Sequence, residues 1–242
     1  MQEKLYIDKA CENIKNNYFE IIDNIQKTAK QCGRSPDEIT FLAATKTVSA
    51  ELINYAISLG LSFIGENKVQ EFLSKYDDYD KENAELHFIG HLQTNKVRQI
   101  VGKVEMIHSV DSFKLANEIS TQSIAQGIKT DILIEVNIGR EESKSGVMEE
   151  NLQELLLQIK DLQGIKVRGL MTIPPICERK EEICKYFSKM NQLFIDIRDK
   201  RIDNICMDFL SMGMSDDYVE AILNGSNLVR IGSALFGARD YR

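Results

Sequence analysis

The sequence is short of the residues that build metal centres and disulfide frameworks. It has 3 histidines and 5 cysteines in 242 residues, and Cys11, Cys32, Cys177, Cys184 and Cys206 form an odd set without a C-x-x-C pair. That pattern fits reduced thiols in a reducing compartment and excludes a stapled secreted scaffold. His87 and His91 share a face of an extended segment, but no third ligand lies nearby in sequence, so no metal is expected. No apolar run approaches the roughly 18 to 20 residues of a membrane span. The N-terminus, MQEKLYIDKACENIK, is charged where a signal peptide is apolar. Positive charge is also scarce: 30 Lys plus Arg against 37 Asp plus Glu leave a net charge of −7. This excludes a broad basic surface for nucleic acid or anionic lipid, though not a local basic pocket. Three prolines and 14 glycines beside 43% hydrophobic residues exclude collagen-like architecture and disorder. A cytoplasmic folded chain is the expectation.

What is present is an alternation of β-rich runs with amphipathic helical runs, the pattern of a parallel sheet with crossover helices. After a helical stretch over 7–32, strands are expected at 40–46, 62–66, 86–90, 106–110, 130–137, 166–172, 204–210 and 228–231. In SAELINYAISLG, Leu52, Ile53, Ala56 and Leu59 recur at helical spacing, with Ser49 as N-cap and Gly60 as stop. NLQELLLQIKDLQG repeats the design, ending at Gly164. Eight strands with seven intervening helices match a (β/α)8 TIM barrel. An open Rossmann-like sheet is disfavoured because ATKTVSAE follows the first strand where a G-x-G-x-x-G turn would lie. The chain ends too soon after the last strand for a full eighth helix, so the extra N-terminal helix is expected to cover that side. No linker interrupts the pattern, and one domain over 1–242 is expected. YDDYDKENAE, from Tyr76 to Glu85, reads as a solvated helix end and loop, and Asn224, Gly225 and Ser226 as the end of a helix.

In such a barrel the ligand site lies at the C-terminal ends of the strands. Lys46 closes the first strand run, FLAATK. A lysine directed into the barrel mouth loses solvation, which favours its neutral amine and Schiff-base chemistry; the other reading is a strand-end lysine bent out to solvent. The last strand runs into Gly232 and Ser233, where close backbone approach, amides and a hydroxyl suit a phosphate. LSMGMSDD supplies Gly213 and Ser215 for the same phosphate or for a helix cap. Each loop alone is an ordinary turn, whereas a barrel lysine combined with two anion loops is a more specific arrangement.

These residues carry a resemblance. AATKTVSAE, IGENKVQE, HFIGHLQTNKV, IHSVDS, EVNIGREESKSG, RGLMTI, LSMGMSDD and VRIGSALFG occur in this order. Across nearly the whole chain the sequence resembles the pyridoxal-phosphate homeostasis proteins, the YggS or PROSC family, whose fold is like the N-terminal barrel of alanine racemase. The resemblance implies pyridoxal 5′-phosphate (PLP) held as an internal aldimine on Lys46. It implies Arg230 facing the pyridine nitrogen, with Ser215, Gly232 and Ser233 on the phosphate. Asn67, in ENK, and Met171, in GLMT, are implied as ring contacts; core packing is the other reading of Met171. His91, Gln93 and Asn95 either approach the ring or orient their loop, and Lys144 and Ser145 belong to a mobile lid or a solvated loop. No catalytic residue is assigned.

The resemblance further implies a non-catalytic PLP binder that buffers or supplies the cofactor to PLP-dependent client enzymes. Alanine racemases draw a second base, a tyrosine, from an additional C-terminal domain of the partner subunit, and no such domain is expected here; a monomer is expected for the same reason. Two alternatives stay open. One is a PLP-dependent racemase or lyase of low activity using Tyr218, Tyr241 or His91, and the other is a cofactor-free Schiff-base aldolase.

Overall fold

Short apolar runs become strands because each is covered on both faces, by helices outside and by the barrel interior inside. The computed structural model describes residues 2–237. In chain order the strands are β1 (Thr40–Ala44), β2 (Phe63–Glu66), β3 (Glu85–Phe88), β4 (Met106–Val110), β5 (Thr130–Glu135), β6 (Ile165–Met171), β7 (Ile205–Ser211) and β8 (Leu228–Ile231). They are parallel and close in sequential order, with Thr40 opposite Leu228 and Ala43 opposite Ile231 sealing β1 to β8. The expected TIM barrel is the architecture observed.

Helix α1 (Gln2–Gln31) precedes the barrel, and the strand intervals hold α2 (Ala50–Ser58), α3 (Val69–Lys75), α4 (Val97–Ile100), α5 (Phe113–Ala125), α6 (Glu149–Ile159), α7 (Lys180–Asp199) and α8 (Tyr218–Leu223). A short α9 (Ser233–Phe236) follows β8. Along α1, Ile14, Tyr18, Ile21, Ile25 and Ala29 are buried at three- and four-residue spacing, one stripe of a helix. This face packs against α2, α8 and α9, and the Tyr18 ring stacks on Phe41 at 6.1 Å. The N-terminal helix therefore covers the side of the barrel expected from the sequence. Among the described residues no helix is long and apolar enough to cross a membrane.

The main apolar core lies between strands and helices. Inside the barrel are two small apolar clusters, Leu42 with Ile89 and Leu228, and Met106 with Leu133 and Met171. Polar side chains that meet inside the barrel, His87, His108, Ser211 and Arg230, are also buried.

Several boundaries differ from the sequence expectation. β1 ends at Ala44, so Lys46 sits in the following turn, where Thr47 takes φ +66°. α6 stops at Ile159, and Gly164 instead lies just before β6; a Cβ there would come within 2.2 Å of the Ser120 carbonyl oxygen, so only glycine fits. Ser49 occupies the N-cap of α2 without a side-chain capping bond. The stretch from Tyr76 to Glu85 is only partly solvated: Tyr79 is 4% exposed and its hydroxyl bonds Glu66 at 2.8 Å. Asn224 does end a helix, α8, and the Ser226 hydroxyl behind it donates to the Met212 carbonyl at 2.8 Å.

Candidate functional site

Lys46 is half-buried at the C-terminal rim, and the backbone on both sides of it is clamped. The Lys75 ammonium reaches the carbonyls of Thr45 and Val48, each at 3.2 Å, and the Glu71 carboxylate at 3.0 Å; it also pairs with Glu66. The Thr45 hydroxyl lies 2.8 Å from Glu66 Oε1, and the Thr47 N–H donates to Glu71. Burial first, and the Glu66 charge second, push the Tyr79 phenol up, so Tyr79 stays a donor to Glu66. A left-handed φ at a β-branched residue costs about 1 to 3 kcal/mol and persists only where surrounding contacts impose it. Here they are the Glu71 carboxylate on the Thr47 N–H and the Lys75 ammonium on the flanking carbonyls. The sequence reading missed Glu66, Glu71, Lys75 and Tyr79; the only signal was a Glu–Lys pair at i,i+4 on one helix.

The neighbours of β1 bring two other expected residues to the same part of the rim. Ala44 pairs with Gly65, and Asn67 follows β2 two residues later. Asn67 Oδ1 is buried without a hydrogen-bond partner, an acceptor left for something else. On the other side Ala43 pairs with Ile231, ahead of Gly232. A Cβ at Gly232 would stand 3.0 Å from the Ala44 carbonyl oxygen, so the β8 loop runs close along the end of β1.

The β7 and β8 loops meet at Ser215. Its Oγ accepts from the N–H groups of Gly232 at 3.2 Å and Ala234 at 3.1 Å, so two amides converge on one position. Gly213 makes the turn at φ +95°, where a Cβ would come within 2.6 Å of Ala221 Cβ. Ser233 is exposed beside this cradle. Such a nest of amides and hydroxyls matches the donor set a phosphate requires.

Arg230 is 4% exposed and projects into the barrel, donating from Nη1 to Ser211 Oγ at 2.6 Å and from Nη2 to the Thr172 carbonyl at 2.9 Å. Burial lowers its pKa to about 10, partly offset by Glu135 and Asp217, so it stays charged at neutral pH. Glu135, at the end of β5, is pushed up to about 7 by burial and by Asp111, against the opposing pull of Arg230. Asp217 is raised by burial.

The remaining expected residues separate. Met171 is fully buried among Met106, Leu133 and Phe209. His91 is exposed with Nδ1 3.3 Å from Ser145 Oγ, which joins two loops. Gln93 and Asn95 are exposed. The Lys144 segment is tied down: Asn137 bonds the backbone of Glu141 and Lys144, and Lys144 donates to the Pro174 carbonyl. Tyr218 bonds Asn24 under α1, and Tyr241 lies outside the described residues. Among the described residues no cluster of His, Cys, Asp or Glu could hold a metal.

Four similarities bear on the family and the fold. The family described as "Alanine racemase, N-terminal domain" matches residues 17–240. The pyridoxal phosphate homeostasis protein of Aquifex aeolicus is 45% identical over 96% of this chain and 99% of its own length. PipY of Synechococcus elongatus PCC7942, solved with PLP bound, superposes with a TM-score of 0.77 at 28% identity, covering 88% of this chain and 100% of PipY. The alanine racemase of Corynebacterium glutamicum shares the fold, with a TM-score of 0.70 at 13% identity over 95% of this chain and 61% of the racemase. With a relative this similar over almost its entire length, the chain belongs to the family of pyridoxal phosphate homeostasis proteins, on a barrel of the alanine racemase N-terminal kind.

Proposed function

We propose that this chain binds pyridoxal 5′-phosphate as a Schiff base on Lys46 and serves vitamin B6 homeostasis by buffering the cofactor or supplying it to PLP-dependent enzymes, without robust turnover of an amino acid. One observation carries the reading: the loop after β8, whose amides converge on Ser215, runs along the end of β1, which leads into the turn that carries Lys46. The name of the Aquifex aeolicus relative and the PLP bound to PipY support the choice of ligand.

In this proposal Ser215, Gly232 and Ser233 hold the phosphate, with the Ala234 amide added to the set. Asn67 offers its unpaired Oδ1 at the ring, Arg230 faces the ring nitrogen, and Met171 packs in the layer beneath. Bound PLP supplies an electrophilic carbon and an electron-withdrawing ring. Arg230 has donors and no acceptor, so it leaves the ring nitrogen unprotonated and weakens that withdrawal. This favours a carrier over an enzyme that passes through a carbanion. A cytoplasmic monomer completes the proposal, supported in its compartment by five cysteines that are all free thiols.

A second reading, a weak PLP-dependent enzyme, is favoured by Glu135, whose pKa of about 7 suits proton exchange near neutrality. Holoprotein incubated with each amino acid, followed for chirality and keto-acid release, separates the two. The carrier reading expects no turnover above free PLP. Turnover lost in both Lys46→Ala and Glu135→Gln would replace it with the enzyme.

A further inference from the structure

Behind Arg230, a proposed ligand contact, the barrel interior contains a line of polar side chains that the proposed ligand contacts do not use. Arg230 Nη1 lies 2.6 Å from Ser211 Oγ, Ser211 Oγ 3.3 Å from His108 Nδ1, and His108 Nε2 2.9 Å from His87 Nδ1. His87 Nε2 is buried without a hydrogen-bond partner and faces Glu85 Oε2 at 3.6 Å, a charge contact longer than a hydrogen bond. Ser211, His108 and His87 are 0 to 2% exposed, whereas the Glu85 side chain is 56% exposed at the opposite, N-terminal end of the barrel.

We propose that Ser211 and His108 are positioning residues for Arg230, joined through His87 to Glu85 in a relay of fixed polarity that crosses the barrel core. It rests on the reading that Arg230 faces the ring of bound PLP.

The polarity follows from the chemistry of the ends. A guanidinium only donates, so Ser211 Oγ accepts from Arg230 and its own proton points to His108 Nδ1. His108 must then carry its proton on Nε2 and donate it to His87 Nδ1. His87 in turn holds its proton on Nε2, toward a carboxylate that only accepts. Burial, followed by the neighbouring His87 and Arg230, pushes His108 well below the usual imidazole range, in keeping with a neutral ring. The reverse polarity is frustrated. A proton on His87 Nδ1 would make His108 accept at Nε2 and donate at Nδ1, leaving Ser211 facing two donors, with neither Arg230 nor His108 able to accept its hydrogen.

Other charged groups frame the relay without breaking it. Glu135 and Asp217 act on Arg230, Asp111 acts on Glu135, and Arg168, paired with Asp131 and Asp208, acts on Glu85. Ser211 and the Thr172 carbonyl fix two corners of the guanidinium. Without Ser211 Oγ, Nη1 loses its acceptor, and the group swings toward the ligand or the carboxylates.

Two measurements test the proposal. With His87, His91 and His108 the only imidazoles, ¹⁵N-histidine NMR of the ligand-free wild-type protein is readily assigned. The relay expects Nε2–H tautomers at His87 and His108 at neutral pH, and a His108 that does not titrate between about pH 5.5 and 8. An Nδ1–H tautomer or an ordinary titration at His108 overturns it, whether or not PLP binds. In PLP-loaded protein, Ser211→Ala is expected to move the pH profile of the bound cofactor's visible band by about one pH unit and to weaken retention about tenfold, with Ser211→Thr restoring both. The remote, exposed Glu85→Gln is expected to move the profile by less, at unchanged melting temperature. A wild-type profile in Ser211→Ala overturns the positioning role.

Discussion

Glu135→Gln isolates one electrostatic cost in the barrel mouth. The carboxyl is 8% exposed, and burial and Asp111 raise it from the ordinary 4.5 to about 7. Its folded pKa therefore lies above its unfolded one. Between about pH 4.5 and 7 the folded chain keeps a proton that the unfolded chain releases, so stability falls as pH rises through this window. Below it the cost is absent and above it the cost is complete. At about 1.4 kcal/mol per pH unit the whole interval amounts to roughly 3 kcal/mol, of which about 2 to 3 kcal/mol falls between pH 5 and 8. Glutamine has nearly the same shape and no ionisation, so the variant lacks this contribution while keeping every other ionisable group in place, with Asp111 and Arg230 the neighbours that feel the change. Urea unfolding of both ligand-free proteins at about pH 5, 6, 7 and 8 should give a stability difference, variant minus wild type, that grows by that amount toward alkaline pH. Parallel stability curves, or a difference that shrinks with pH, would refute the reasoning.

Lys75→Met should cost about 3 kcal/mol or more in unfolding free energy, because it leaves the 2%-exposed Glu66 carboxylate without its ammonium. It should also release PLP faster by loosening the turn that carries Lys46, measured as cofactor loss on dialysis. Ser233→Glu should discharge the cofactor without altering thermal unfolding of the ligand-free protein, since it sets a negative charge beside the phosphate cradle at an exposed position; retention equal to wild type would remove the cradle from the account. Lys46→Ala should remain folded by circular dichroism and hold PLP only non-covalently.

The barrel was legible because strands buried on both faces appear as short apolar runs, and amphipathic helices separate them in a single repeating order. Boundaries were less legible where tertiary contacts decide them. Thr45 and Lys46 fall within the strand expected over 40–46, yet Glu66, Glu71 and Lys75 hold the chain from Thr45 to Val48 in a turn. Gly164 looked like a helix stop, but it is required by contact with Ser120 on α5. Within the candidate site, Lys46, Ser215 and Gly232 were legible from their places next to strand ends, and Arg230 through the family resemblance alone. The clamp and the relay were not, because their members are scattered over five strands, α3 and the loops after β1 and α3, and meet only in the folded chain. His87 and His108 look like isolated core histidines in sequence; their 2.9 Å contact arises where β3 pairs with β4.

The central claim is that Lys46 is where the cofactor is held. Borohydride reduction of purified PLP-loaded protein, followed by proteolysis and peptide mass spectrometry, tests it most directly. The account predicts one pyridoxyl-phosphate adduct per chain, on Lys46, with the visible band of the cofactor abolished on reduction. An unmodified Lys46, or an adduct distributed over exposed lysines, would contradict it.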